Sequence, residues 1–203
     1  MDKKPTVNNN PKTPPILCSH EAKIKHGVAT HGLYVTKAGL VYDIKNQAEK
    51  FTNMKVAVIE GTQSKRNKLY HEIEDGGYDL VVVSYETFRG DINNFISIHN
   101  QKPFSVMYLD EAHKIKSVES QLGKVIHYLD TAQRYAITAS PVINEVIDMF
   151  NILYWMGVIN YNIWQFKNKF CELDSWGNPK KYKNLAEIKR VLQGNMLRRL
   201  KSE

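Results

Sequence analysis

The sequence predicts an α/β domain built on a parallel sheet, and three observations carry that expectation. Strand and helix signals alternate with short turns from residue 32 to about residue 155, the pattern of a parallel sheet covered by helices on both faces. Tyr78 to Ser84 is almost wholly apolar, as a strand buried on both faces should be. Three strands stop abruptly in polar turns: Ser84-Tyr85-Glu86-Thr87-Phe88-Arg89, Asp110-Glu111-Ala112-His113-Lys114 and Thr138-Ala139-Ser140-Pro141. Ligands of open parallel sheets collect at the carboxyl ends of the strands, so Ser84, Asp110, Glu111 and Thr138 are expected to cluster.

Residues 1–15 are Lys, Asn, Thr and Pro without periodicity and read as a mobile arm. Residues 16–31 fit no single pattern, so 1–31 is expected to be flexible or irregular. Gly32 to Val35 reads as a short strand. Leu40, Val41, Ile44, Ala48 and Phe51 then stand at helical spacing. Lys55 to Ile59 is a strand, followed by a Thr62-Gln63-Ser64 turn and a polar helix to about Glu74, which Gly76-Gly77 ends. Beyond the Tyr78–Ser84 strand, Tyr85 to about Ile98 reads as helix and Phe104 to Leu109 as strand. Ser117 to Leu129 is helical, Arg134 to Thr138 a strand, and Asn144 to about Trp155 an apolar helix. After Gly157 no further strand is expected. Tyr161 to Cys171 and Asn184 to Leu192 read as helices around a Trp176-Gly177-Asn178-Pro179 turn. The chain thus divides into an arm (1–31), a partial lobe (32–157) and a basic helical extension (158–203).

Composition narrows the classes. With 203 residues, 42% hydrophobic and 24% charged, one packed domain is expected and global disorder is not. There is no apolar run long enough for a spanning helix, and Met1-Asp2-Lys3-Lys4-Pro5 does not open a signal peptide. An intracellular place, in cytoplasm, nucleoid or nucleus, is expected, with no membrane partner. Cys18 and Cys171 lack zinc spacing and read as free thiols. The net charge of +7 is uneven: residues 166–203 carry ten basic and four acidic residues, while residues 32–165 carry thirteen and fifteen. A basic tail suits a polyanion, and equally a solvated helix.

The run Met107-Tyr108-Leu109-Asp110-Glu111-Ala112-His113-Lys114-Ile115-Lys116 carries the most chemistry. An apolar strand ends in two carboxylates, the first able to hold Mg²⁺ and the second to polarise an attacking water. Taken alone, it is also an ordinary exposed acidic turn. Together with the flanking turns it resembles the first lobe of a DEAH-box helicase-like ATPase of the Swi/Snf type, a RecA-like fold of the P-loop NTPase class. The resemblance implies that Asp110 binds the Mg²⁺ of Mg-ATP, that Glu111 activates water, and that His113 couples the site to Thr138 and Ser140. It also implies duplex DNA as partner, with Ser84, Arg89 and Lys37 along its phosphates. Taken alone, Ser84 also reads as a helix cap, Arg89 as a solvated side chain, and His113 as a packed histidine, a reading that the flanking motifs outweigh for His113. The segment Leu33 to Asp43 resembles the family's first DNA-contact loop, but Lys37, Gly39 and Ile44 stand where Pro, Ser and Trp are usual. In the tail, Phe170-Cys171, Trp176-Gly177, Tyr182-Lys183-Asn184-Leu185 and Met196-Leu197-Arg198-Arg199-Leu200-Lys201 are similar to the annealing-helicase and phage-type branch. Arg198 and Arg199 are further DNA-contact candidates, in a segment that leads toward a second lobe.

The 203 residues contain no G-x-x-x-x-G-K-[ST] run, the loop whose amides cradle phosphates. Gly123-Lys124 does not supply one, since Val118 and Val125 occupy the flanking positions. No second RecA-like lobe is readable either, and its arginine fingers can be worth roughly 10³–10⁵ in rate. The expectation is an incomplete lobe, poor in ATP hydrolysis alone, whose P-loop and second lobe are on other polypeptides or lost to an interrupted reading frame. A non-catalytic relic that binds DNA or protein, and a plain α/β interaction domain, are the other readings.

Overall fold

The computed structural model describes residues 13–138 and 145–197. Strands β1 (Gly32–Thr36), β2 (Val56–Ile59), β3 (Leu80–Ser84), β4 (Val106–Asp110) and β5 (Gln133–Ile137) form one sheet in the order β2-β3-β1-β4-β5, parallel at every pairing. The three central strands are buried at every residue. Their side chains alternate between the faces. Leu33, Val35, Val81, Val83, Met107 and Leu109 pack on one side, and Tyr34, Leu80, Val82, Val106 and Tyr108 on the other.

Helices α1 (Thr13–Lys25) and α2 (Val41–Phe51) cover the Tyr34 face through Leu17, Val41, Ile44 and Ala48. The opposite face takes α3 (Gln63–Glu74), α4 (Tyr85–Gly90), α5 (Ile92–Gln101), α6 (Gln121–Val125) and α7 (Phe150–Trp155). Tyr70, Ile73, Phe88, Phe95, Ile98 and Trp155 fill that core. The crossover β1–α2–β2 moves toward one sheet edge over the first face. Those through α3, α4–α5 and α6 move the other way over the second. Opposite directions on opposite faces give every crossover the same hand, as parallel sheets require.

Three expectations need correction. Residues 13–25, expected to be irregular, are helix α1. Pro14 and Pro15 sit in the first turn, where no intrahelical amide is needed. His20 is buried against the sheet, with Nε2 3.0 Å from the Asp79 carbonyl and Nδ1 3.2 Å from the Tyr108 hydroxyl. Burial lowers its pKa, so the ring is neutral and, donating to Asp79, accepts from Tyr108. A Cβ at Gly32 would stand 2.6 Å from that ring, which explains the glycine. Two or three apolar residues around a buried histidine leave no stripe for periodicity to find.

The expected helix from Tyr85 to Ile98 is broken at Asp91 into α4 and α5. Asp91 accepts from Arg66 Nε at 2.5 Å and from the Tyr70 hydroxyl at 2.7 Å. Burial pushes its carboxyl up, but those two partners outweigh it and hold the pKa below the usual range. A tertiary ion pair thus overrides local helix propensity.

The extension is not purely helical. Between α8 (Ile163–Phe170) and α9 (Leu185–Asn195), strands β6 (Cys171–Leu173) and β7 (Pro179–Tyr182) form an antiparallel hairpin. Strands of this length, one containing Lys180-Lys181, carry too few residues to show alternation. Phe150, Leu153, Ile159, Phe166, Phe170 and Ile188 form a separate small core beneath them.

Candidate nucleotide site

β1 and β4 are neighbours, with Val35 beside Leu109 in register, so the residues that end them meet at the carboxyl edge. Thr36 Oγ1 donates to Asp110 Oδ2 at 2.9 Å, and the Glu111 amide donates to Asp110 Oδ1 at 3.1 Å. The Tyr85 hydroxyl donates to the Asp110 carbonyl at 2.7 Å, tying the start of α4 to the end of β4. Asp110 is only 2% exposed. Burial raises its pKa, the Glu111 charge adds to the rise, and the Thr36 hydroxyl opposes it.

Immediately after this buried carboxylate the backbone turns sharply. Glu111 has φ +54°, in the left-handed region. A β-carbon is disfavoured there, and such strain persists where the surroundings hold it, often at functional sites. The turn swings the Glu111 carboxylate out of the core to lie 3.7 Å from Lys37 Nζ and 3.3 Å from His113 Nδ1. Two adjacent acids therefore occupy different environments, one sealed and one half-exposed between two nitrogens.

Among the candidates read from sequence, the structure brings Asp110, Glu111, His113 and Lys37 together. Lys37, expected along DNA phosphate, has its half-exposed ammonium 3.7 Å from Glu111. Ser84 is buried, and its hydroxyl accepts from the Thr87 amide at 3.1 Å and donates to Thr87 Oγ1 at 3.1 Å. It caps α4. Arg89 is exposed on α4. Thr138 is half-buried just past the end of β5. Ser140, Arg198 and Arg199 lie outside the described residues. Thr36 and Tyr85 escaped the sequence reading. Thr36 becomes visible only once β1 is known to adjoin β4.

The donor set suits magnesium. Mg²⁺ takes oxygen ligands, and a nucleotide site supplies one or two carboxylates with phosphate and water completing the shell. Each Asp110 oxygen receives one hydrogen bond, leaving acceptor capacity. Among the described residues no cluster of three or more His, Cys, Asp or Glu could hold a metal by itself.

The raised Asp110 pKa has a sign that can be tested. A carboxyl whose folded pKa exceeds its unfolded value contributes stability at pH below the unfolded value and loses it as pH rises through the folded one. At pH 7 the buried charge is therefore a liability. Asp110→Asn is expected to flatten the pH dependence of Tm: the stability that the native chain loses as pH rises above about 4 should no longer be lost in the variant. Thermal melts of both proteins across that range check it.

Comparison with known proteins fixes the family. The SNF2-related domain family matches residues 16–203. The chain belongs to it. Similar proteins include nuclear protein STH1/NPS1 of Saccharomyces cerevisiae, 26% identical over 168 residues, covering 74% of this chain. Helicase swr1 of Schizosaccharomyces pombe is 25% identical over 204 residues, covering 92% of it. This chain spans only 12% and 16% of the lengths of those two relatives. Among solved structures, the SWI2/SNF2 ATPase core of Sulfolobus solfataricus in complex with dsDNA matches with a TM-score of 0.76 at 23% identity. The match covers 95% of this chain and 38% of that one. The five-stranded parallel sheet is thus the sheet of a SNF2-type RecA-like lobe. No helix among the described residues is long and apolar enough to cross a membrane.

Proposed function

We propose that this chain is the Mg²⁺- and water-handling part of a Swi/Snf-type ATPase lobe, in a motor that couples ATP hydrolysis to tracking along duplex DNA. The observation that carries the reading is the Asp110–Glu111 turn. A buried carboxylate held by Thr36 is followed at once by a strained residue that projects a second carboxylate toward solvent. Bound Mg²⁺ would neutralise phosphate charge beside Asp110. Glu111 would take the proton of the attacking water, its carboxylate aimed by Lys37 and His113. Thr138 and Ser140 would relay nucleotide state from the neighbouring turn. Lys37, Ser84, Arg89, Arg198 and Arg199 are the candidates for the DNA side. The tail motifs favour the annealing-helicase and phage-type branch.

On this reading these 203 residues turn over ATP poorly by themselves, because no phosphate-binding loop of the G-x-x-x-x-G-K-[ST] type is among them. The handedness of the sheet supports a place for that loop. α1 lies on the α2 face and runs antiparallel to β1, with Thr13 beside the Tyr34 hydroxyl and Lys23 Nζ 2.8 Å from Gln133 Oε1 at the start of β5. A strand joined ahead of α1 with the common hand belongs beyond β4, at the outer edge of β5. That edge is unpaired among the described residues, and Tyr135 on it is exposed.

The test is a graft of residues 32–157 into the matching lobe of a DNA-stimulated Swi/Snf ATPase, which supplies the loop and second lobe. A folded graft that keeps DNA-stimulated turnover within about tenfold of its parent (about 1.4 kcal/mol of barrier) supports the reading. A folded graft with no turnover contradicts it.

A further inference from the structure

The extension holds two tryptophans outside any core. Trp164, on α8, is 68% exposed, and Trp176, at the tip of the β6–β7 hairpin, is 84% exposed. They share one surface. Lys167 follows Trp164 by one helical turn, and its Nζ donates to the Gly177 carbonyl, next to Trp176, at 3.3 Å.

The tip is a fixed turn. Asp174 Oδ1 accepts from the Trp176 amide at 2.9 Å and the Asn178 amide at 2.8 Å, and the Asp174 amide donates to the Asn178 carbonyl at 2.9 Å. Gly177 takes φ +79°, which a side chain would resist. The one acid at the tip is thereby engaged with backbone amides, and the indole beside it points into solvent.

The surroundings are basic. Residues 163–197 carry seven lysines and arginines against three acids. Lys169 pairs with Glu187 at 2.5 Å. Lys167, Lys180, Lys181, Lys183, Lys189 and Arg190 form no ion pair with a described residue. Rigid exposed aromatics among unpaired cations are the composition of a single-strand nucleic-acid surface, where bases stack on rings and phosphates meet lysines. Bases inside a duplex are already stacked on each other and have no face to offer. We propose that Trp164 and Trp176 form a stacking platform for unpaired bases, with Lys167, Lys180 and Lys181 meeting the phosphates. The site takes single-stranded DNA, such as the free arm of a strand junction. It goes beyond duplex tracking and needs no nucleotide.

The experiment uses the 203-residue protein without ATP, probed with fluorescein-labelled oligothymidylate of about 20 nucleotides and with a blunt duplex of about the same length. Oligothymidylate is expected to quench tryptophan fluorescence in the native protein, with buried Trp155 as the residual signal. The Trp164→Ala/Trp176→Ala double variant should lose about tenfold or more in oligothymidylate affinity. Phe at both positions should restore most of it. Duplex affinity and the salt slope should stay within about twofold, because the phosphate contacts are untouched. A double Ala variant that binds oligothymidylate like the native chain overturns the platform. So does an equal loss on both probes that Phe does not restore, or a native chain that binds neither probe, which would leave the pair as a protein-docking face. ATP turnover enters none of these readouts, so the motor reading stands or falls separately.

Discussion

Glu111→Gln in the grafted motor is expected to lower ATP turnover by about 10²–10⁴-fold, the range for removing a positioned general base. Glutamine keeps the size and one acceptor oxygen of the side chain but cannot take a proton. Asp110 keeps both of its hydrogen bonds, because Thr36 and the Glu111 backbone amide supply them. Binding of Mg-ATP should therefore stay within about twofold, while the chemical step fails. Single-turnover kinetics with DNA separate the two. Equal turnover in mutant and parent would remove Glu111 from the chemistry.

Asn151→Ala is the second large effect, and it falls on stability. Asn151 is fully buried on α7, and its Nδ2 donates to the Ile115 carbonyl at 2.6 Å and to the Gly123 carbonyl at 3.3 Å. Its Oδ1 lies 2.9 Å from His127 Nε2. One side chain thus ties the turn that carries His113, the helix α6 and the segment after it to α7. Truncation leaves two buried carbonyls without this donor, a loss of about 2–6 kcal/mol when each such group costs about 1–3. In a chain of this length, at about 2–4 °C per kcal/mol, that is a fall in Tm of at least about 4 °C. An unchanged melting temperature would mean that water replaces the amide.

The sheet was legible because its strands announce themselves. Leu80–Ser84 and Val106–Asp110 are apolar throughout and stop at polar residues, so their carboxyl ends, and with them Asp110 and Glu111, could be placed by counting. The order of the strands could not. Thr36 reaches Asp110 only because β1 inserts between β3 and β4, a fact no local pattern carries. The same insertion brings Lys37, just past the end of β1, to within 3.7 Å of Glu111. Helix α1 was hidden by its own composition, since its buried positions include Thr13 and His20. The hairpin β6–β7 was hidden by brevity. What sequence misses here is held by tertiary partners: the Asp79 carbonyl for His20, Arg66 and Tyr70 for the break at Asp91.

If Asp110 and Glu111 handle metal and water in a site whose phosphate cradle lies outside these 203 residues, the residues alone should not turn over ATP. Steady-state ATP turnover by the purified 203-residue protein, with and without duplex DNA and alongside Glu111→Gln, tests it most directly. No turnover above background is expected in any of these conditions. Turnover that rises with DNA and disappears in Glu111→Gln would contradict it, and would assign the phosphate cradle to this chain itself.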